Sequence, residues 1–105
     1  MITTRDASNE EVNLAIIGAR VVLPAQNVIV ASAQVALQTG TWTGAVWTVK
    51  VSNDPDQVFF RDHPDGLTLT AEGVIGNINC NGWRWVALEL TTASSVAGTA
   101  CVYIC

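Results

Sequence analysis

The chain has 105 residues, of which 50% are hydrophobic and only 13% charged, and it carries a formal net charge of −4. That length permits one domain with a core of its own and little beyond it. The charge argues against a nucleic-acid binder, since phosphate recognition needs clustered Lys and Arg and Arg5, Arg20, Lys50, Arg61 and Arg84 are scattered.

Soluble domains typically carry about 25% charged residues. A chain well below that has trouble covering its own surface, which points to packing against copies of itself or against a partner. No run of about 18 apolar residues is present, so no membrane-spanning helix is expected. The opening "MITTRDASNEEVN" is polar and lacks the apolar stretch of a secretion signal, so the cytoplasm is the expected first compartment.

In chain order, residues 1–12 read as a short polar N-terminal arm, and residues 13–105 as one domain. Within "NEEVNLAIIGARVVL", Ser8 or Asn9 could cap a helix whose first turn holds Glu10 and Glu11. The β-branched residues between Leu14 and Leu23, interrupted by Gly18, favour two short extended pieces instead. Pro24 closes them, because it cannot donate to a ladder. "NVIVASAQVALQ" predicts one or two strands with Val35 and Leu37 on one face, and Thr39 and Gly40 mark a turn.

The stretch "GTWTGAVWTVKVSNDPD", residues 40–56, alternates with period two. Ala45, Trp47, Val49 and Val51 share one face, and Asn53, Asp54 and Pro55 end the strand. "QVFFRD" reads as a short strand closed by the turn "HPDG". "LTLTA" follows with Leu67 and Leu69 inward. In "GVIGNINC", Ile75 competes for the inner face with Val74, Ile78 and Cys80. Asn81-Gly82 is a two-residue hairpin signal. "WRWVALELTT" and "GTACVYIC" close the chain, the latter with Ala100, Val102 and Ile104 on one face. Many short strands at this spacing predict an all-β fold, a single antiparallel β-sandwich of jelly-roll or immunoglobulin-like kind.

Chemistry-bearing residues are few. Trp47 shares its face with aliphatic residues and reads as core. Trp83 and Trp85 lie opposite Val86, Leu88 and Leu90, so at least one ring is expected near the surface, as a subunit contact, as edge packing, or as a platform for sugar rings. Asp54, Asp56, Asp62 and Asp65 match no calcium-loop spacing and read as solvated turn residues. His63 has no nucleophile to serve and reads as a turn residue, so no catalytic centre, metal site or cofactor is expected. Cys101 and Cys105, four apart on one strand, would lie about 13 Å apart, too far to bridge. Free thiols are favoured over a disulfide from Cys80 to Cys101 or Cys105.

Three motifs in order, "TWTGAVWTVKVSNDPD", "NGWRWVALELTT" and "AGTACVYI", resemble a pattern in tailed-bacteriophage virion β-sandwich proteins of the capsid decoration (cement) or head-fibre type. In those proteins a strand with a Gly-Thr-Trp-type start runs into a Ser-Asn-Asp-Gly turn, then a Gly-Tyr-Arg-Tyr-Val-Arg strand and a final Gly-Thr-Ala-x-Val strand. The likeness spans roughly residues 28–105. Here Pro55 replaces the turn glycine, Val58 and Phe59 stand where tryptophan is common, and Ala87 and Glu89 replace arginines, so no role of those arginines carries over. The resemblance implies a non-enzymatic virion structural protein, assembled in the host cytoplasm, that bridges adjacent subunits of the major capsid protein and forms a homo-oligomer such as a trimer. It implies an interface with Trp83, Trp85 and Tyr103 as aromatics and Arg5, Asp6, Glu10 and Glu11 as peripheral polar contacts. The alternatives are a small carbohydrate-binding module using Trp83 and Trp85, and a tail or baseplate component.

Overall fold

A computed structural model describes residues 8–105 as an all-β sandwich of two antiparallel sheets, with no helix among the described residues. The strands are β1 (Ser8–Asn13), β2 (Arg20–Pro24), β3 (Val30–Gly40), β4 (Val46–Ser52), β5 (Arg61–Asp62), β6 (Thr68–Leu69), β7 (Gly73–Asn79), β8 (Trp85–Thr92) and β9 (Gly98–Ile104). One sheet has four strands in the order β1-β9-β3-β7. The other has five, in the order β2-β8-β4-β5, with β6 also paired to β4.

Period-two patterning sets the inner faces. Trp47, Val49 and Val51 of β4 are fully buried, as are Val86, Leu88 and Leu90 of β8, and Ala100, Val102 and Ile104 of β9. From the four-stranded sheet, Ala31, Ala33 and Val35 of β3 face them, with Leu37 packed at the margin. On β7 the competing inward residues are reconciled by a bulge. The register against β3 shifts between Ala31 and Ala33, Asn77 sits at φ 56°, and Ile75 and Ile78 therefore both point inward while Val74 stays exposed.

Expectations change at several points: residues 14–18 form turns and not an extended piece, and Thr39 and Gly40 belong to β3. Ser8–Val12 do not form an arm: with Asn13 they pair residue by residue along β9, Ser8 opposite Ile104 and Val12 opposite Ala100. An edge strand tolerates polar side chains, since its ladder bonds come from backbone. Arg5 and Asp6 lie outside the described residues. "QVFF" is not a strand; only Arg61 and Asp62 pair with β4, at Val51 and Lys50. Asn81-Gly82 makes a turn with Gly82 at φ 89°, but no hairpin, because β7 and β8 belong to different sheets. Every connection except those joining β4, β5 and β6 crosses between the sheets.

The sheet margins are irregular. β5 and β6 lie along the same edge of β4, separated by the turn from His63 to Gly66. His63 is buried there. Its Nδ1 accepts the Asp65 N–H at 3.0 Å, which leaves Nε2 to donate to the Asn79 carbonyl at 2.8 Å and tie this turn to β7. At the opposite end β3 and β9 approach closely where Gly40 pairs with Gly98. A Cβ built on Gly98 would lie 2.7 Å from the Thr41 carbonyl oxygen. No disulfide joins the cysteines: Cys80 is buried and donates to the Ile78 carbonyl, Cys101 is half-buried and Cys105 exposed.

Trp47 is the largest buried side chain, and its indole N–H has no partner among the described residues. Trp47→Ala is expected to cost about 3–5 kcal/mol in urea unfolding. Trp47→Phe, which keeps a ring and removes the orphan donor, should cost clearly less. Equal losses from the two variants would contradict the central packing role of the ring.

Candidate functional site

The two outer faces of the sandwich differ in kind. Across the five-stranded sheet the link from Asn53 to Phe60 folds back as a strap. The side chain of Asp54 shapes it, with one oxygen accepting the Asp56 N–H at 3.1 Å and the other accepting Val58 and Phe59 N–H at 2.9 and 3.1 Å. These backbone donors, that of Asp56 foremost, hold the Asp54 carboxyl below its usual range, with a smaller contribution from Arg84.

The strap docks through three contacts. The Trp85 indole donates to the Asp54 carbonyl at 2.9 Å, Arg20 reaches the Gln57 carbonyl at 3.5 Å, and the Arg20 guanidinium lies 4.3 Å from the centre of the Phe60 ring. Arg20 also pairs with Glu89 at 2.9 Å, its register partner on β8. Ala87, on the outer face between Trp85 and Glu89, is fully buried. Val58 and Phe59 stand exposed on the strap.

The outer face of the four-stranded sheet carries no such cover among the described residues. β3, β7 and β9 contain no charged residue. Gln34, Val74 and Tyr103 are exposed, Ala36, Thr99 and Cys101 half-buried, and the register places Tyr103 between Asn9 and Gln34, and Cys101 between Glu11 and Ala36. A hydrogen bond with Cys101 raises the Tyr103 hydroxyl above its usual pKa. Tyr103 and Glu11 thus share one surface, and Glu10 lies on the same edge strand, opposite Val102.

A third feature lies at the end of the sandwich where the 25–29 and 81–84 loops meet Asn53. It is a groove of about 610 Å³, lined chiefly by Trp83, Arg84, Asn81, Asn27, Gln26 and the exposed Ile29. Trp83 is half-buried, its ring leaning on the core. The expected pairing of Trp83 and Trp85 in one platform is therefore corrected. Trp83 lines the groove, whereas Trp85 lies beneath the strap with its N–H already engaged. Sequence reasoning missed the strap because its anchor is a side chain reaching four and five residues ahead, and missed the groove because its walls come from loops far apart in sequence.

No group of His, Cys, Asp and Glu among the described residues is placed to hold a metal ion. Among the described residues no helix is long and apolar enough to cross a membrane. The molecule is thus an all-β sandwich with one strapped face, one open face whose only charged strand is β1, and one end groove, all among the described residues. No protein-family model matches it, and no curated protein does. Among solved structures, it is similar to the crystal structure of SPBc2 prophage-derived protein YomS, with a TM-score of 0.51, 5% sequence identity and 100% of both chains covered. At that identity the likeness is one of fold.

The depressed Asp54 pKa makes the strap pH-dependent. Its contribution is fully present above the ordinary carboxylate pKa and is lost as pH falls through the lowered folded value. The amide resonances of Asp56, Val58 and Phe59 are expected to move together in an acid titration followed by NMR, with a midpoint below the usual Asp range. In Asp54→Asn that concerted step should vanish; its persistence would show that another group anchors the strap.

Proposed function

We propose that this chain is a structural protein of a tailed-phage virion, and specifically a capsid decoration protein that stabilises the head by bridging adjacent subunits of the major capsid protein. The observation that carries the proposal is the open face of the four-stranded sheet, where three of the four strands lack any charge. Such a face is suited to burial against protein, because away from Glu11 on β1 covering it strands no ion. The sequence motifs and the full-length fold likeness to a prophage-derived protein support a phage setting.

Three of the four sheet margins are irregular and favour faces over edges as contacts, β1 being the one regular edge. β2 ends at Pro24, the bulged β7 bounds the four-stranded sheet, and the edge beside β4 is interrupted at His63. Edge-to-edge addition of strands is poorly served by such margins. A small contact of about 800 Å² in total, below the standard interface size, would supply on the order of 10 kcal/mol if half were apolar, at about 25 cal/mol/Å². That is comparable with the association cost of about 4–15 kcal/mol. One contact is thus marginal, and repetition over a shell or within a homo-oligomer makes it effective. In this reading Tyr103 and Glu11 contribute to the interface. The protein acts by burial and not by catalysis.

Quantitative mass spectrometry of purified virions of the encoding phage tests this directly. A copy number comparable to the major capsid protein is expected, and Tyr103→Asp should lower that occupancy while leaving the thermal midpoint of the isolated protein unchanged. A copy number of a few to tens would place the chain in the tail or baseplate instead, and its absence from virions would end the structural reading.

A further inference from the structure

We infer that the end groove beneath Trp83 is a saccharide-binding site, a role that goes beyond the structural one proposed above. The groove's volume of about 610 Å³ falls within the roughly 300–1,000 Å³ of small-ligand sites. Its chemistry is selective. The lining includes no carboxylate and one cation, Arg84, alongside the carboxamides of Gln26, Asn27 and Asn81.

The loops that build it are tied to each other by backbone and by one side chain. Ala25 N–H donates to the Arg84 carbonyl at 2.8 Å, Cys80 N–H to Ile29 at 2.8 Å, and Trp83 N–H to Cys80 at 3.1 Å. Asn53 clamps the same turn from the side, accepting the Arg84 N–H at 2.7 Å and donating to the Gly82 carbonyl at 3.1 Å. Asn53 is thus spent on architecture. The side-chain amides of Gln26, Asn27 and Asn81, the Arg84 guanidinium and the Trp83 indole N–H have no hydrogen-bond partner among the described residues, and Gln26, Asn27, Asn81 and Arg84 are exposed. The scaffold is fixed while the recognition groups stay open, which lowers the ordering cost of binding.

This set fits a sugar. The C–H face of a pyranose ring is apolar and packs on an indole, and its vicinal hydroxyls each donate and accept, as a planar carboxamide does. A nucleotide fits poorly, because a single arginine must hold its phosphates against the chain's net charge of −4. An apolar peptide would leave the carboxamides unpaired. Asn27, at φ 67°, presents its side chain from a left-handed turn position, which also makes it removable: glycine occupies that conformation without strain.

The test is binding of the full chain to an array of bacterial-surface oligosaccharides, followed by titration calorimetry with the best hit. Wild type is expected to bind at least one array glycan, and Trp83→Ala to abolish it. Because Trp83 also supports the core, the double variant N27G/N81A is the second arm. It leaves the core untouched and should weaken the hit by about tenfold or more with an unchanged melting temperature. Trp85→Phe should bind as wild type does. The proposal is overturned by no hit on the array, by a hit indifferent to both Trp83→Ala and N27G/N81A, or by a groove filled by a second copy, seen as an oligomer in which Trp83 alone is shielded from acrylamide. None of these outcomes bears on virion copy number, so the two proposals stand or fall separately.

Discussion

The space between the two sheets has to be filled from strands that arrive from both sides in turn, and everything else in the molecule depends on that filling. Apart from the β4–β5–β6 segment, each strand is followed by one in the opposite sheet, so hardly any neighbouring pair of strands is stabilised by its own turn. Trp47 sits on β4, which pairs with β8 on one side and with β5 and β6 on the other. Its ring, with Leu88, Leu90, Val102 and Ile104, is fully enclosed. The contacts that close the core are therefore between residues distant in sequence, and the fold gains its stability only when both sheets are present.

Both ends of the sandwich are held by side chains doing the work of backbone. At one end, the hydroxyl of buried Ser94 accepts the Thr43 N–H at 3.0 Å and donates to the Val96 carbonyl at 2.7 Å, beside the Gly40–Gly98 approach. At the other, Asn53 joins the turn before β8 and Asp54 folds the strap, so two successive residues after β4 anchor different structures. The polarity of "SNDPD" at Asn53 and Asp54 thus serves the fold. Its carboxylate at Asp54 is consumed by amides of its own loop.

Much of this was legible in the sequence, for one physical reason: side-chain alternation reports the inner face of a strand directly. It gave the all-β sandwich and the inward sets on β4 and β9 correctly. It placed Trp47 inside and left Trp83 and Trp85 ambiguous, and both of these are half-buried. Pairing partners were less legible, since Asn81-Gly82 has the chemistry of a tight turn whether the next strand returns alongside or crosses to the other sheet. The polar composition of Ser8–Asn13 hid a strand whose ladder is backbone alone. The bulge at Asn77 hid the parity of β7, because one extra residue reverses which side chains face inward.

The distribution of charge then separates the two surfaces left over once core and strap are accounted for. On the five-stranded sheet two ion pairs form, Arg20 with Glu89 and Lys50 with Asp62 at 2.7 Å, and the strap overlies part of that face. On the four-stranded sheet, β3, β7 and β9 have no ions to satisfy, so a protein surface laid on that face desolvates mainly methyl, hydroxyl and amide groups. The end groove follows the opposite logic, with a fixed frame and a rim of unpaired polar side chains that favours a ligand rich in hydroxyls over a dry one. An open face poor in charge and a polar groove at the end of the sandwich are compatible in one small domain, because the residues that build the groove contribute nothing to the face.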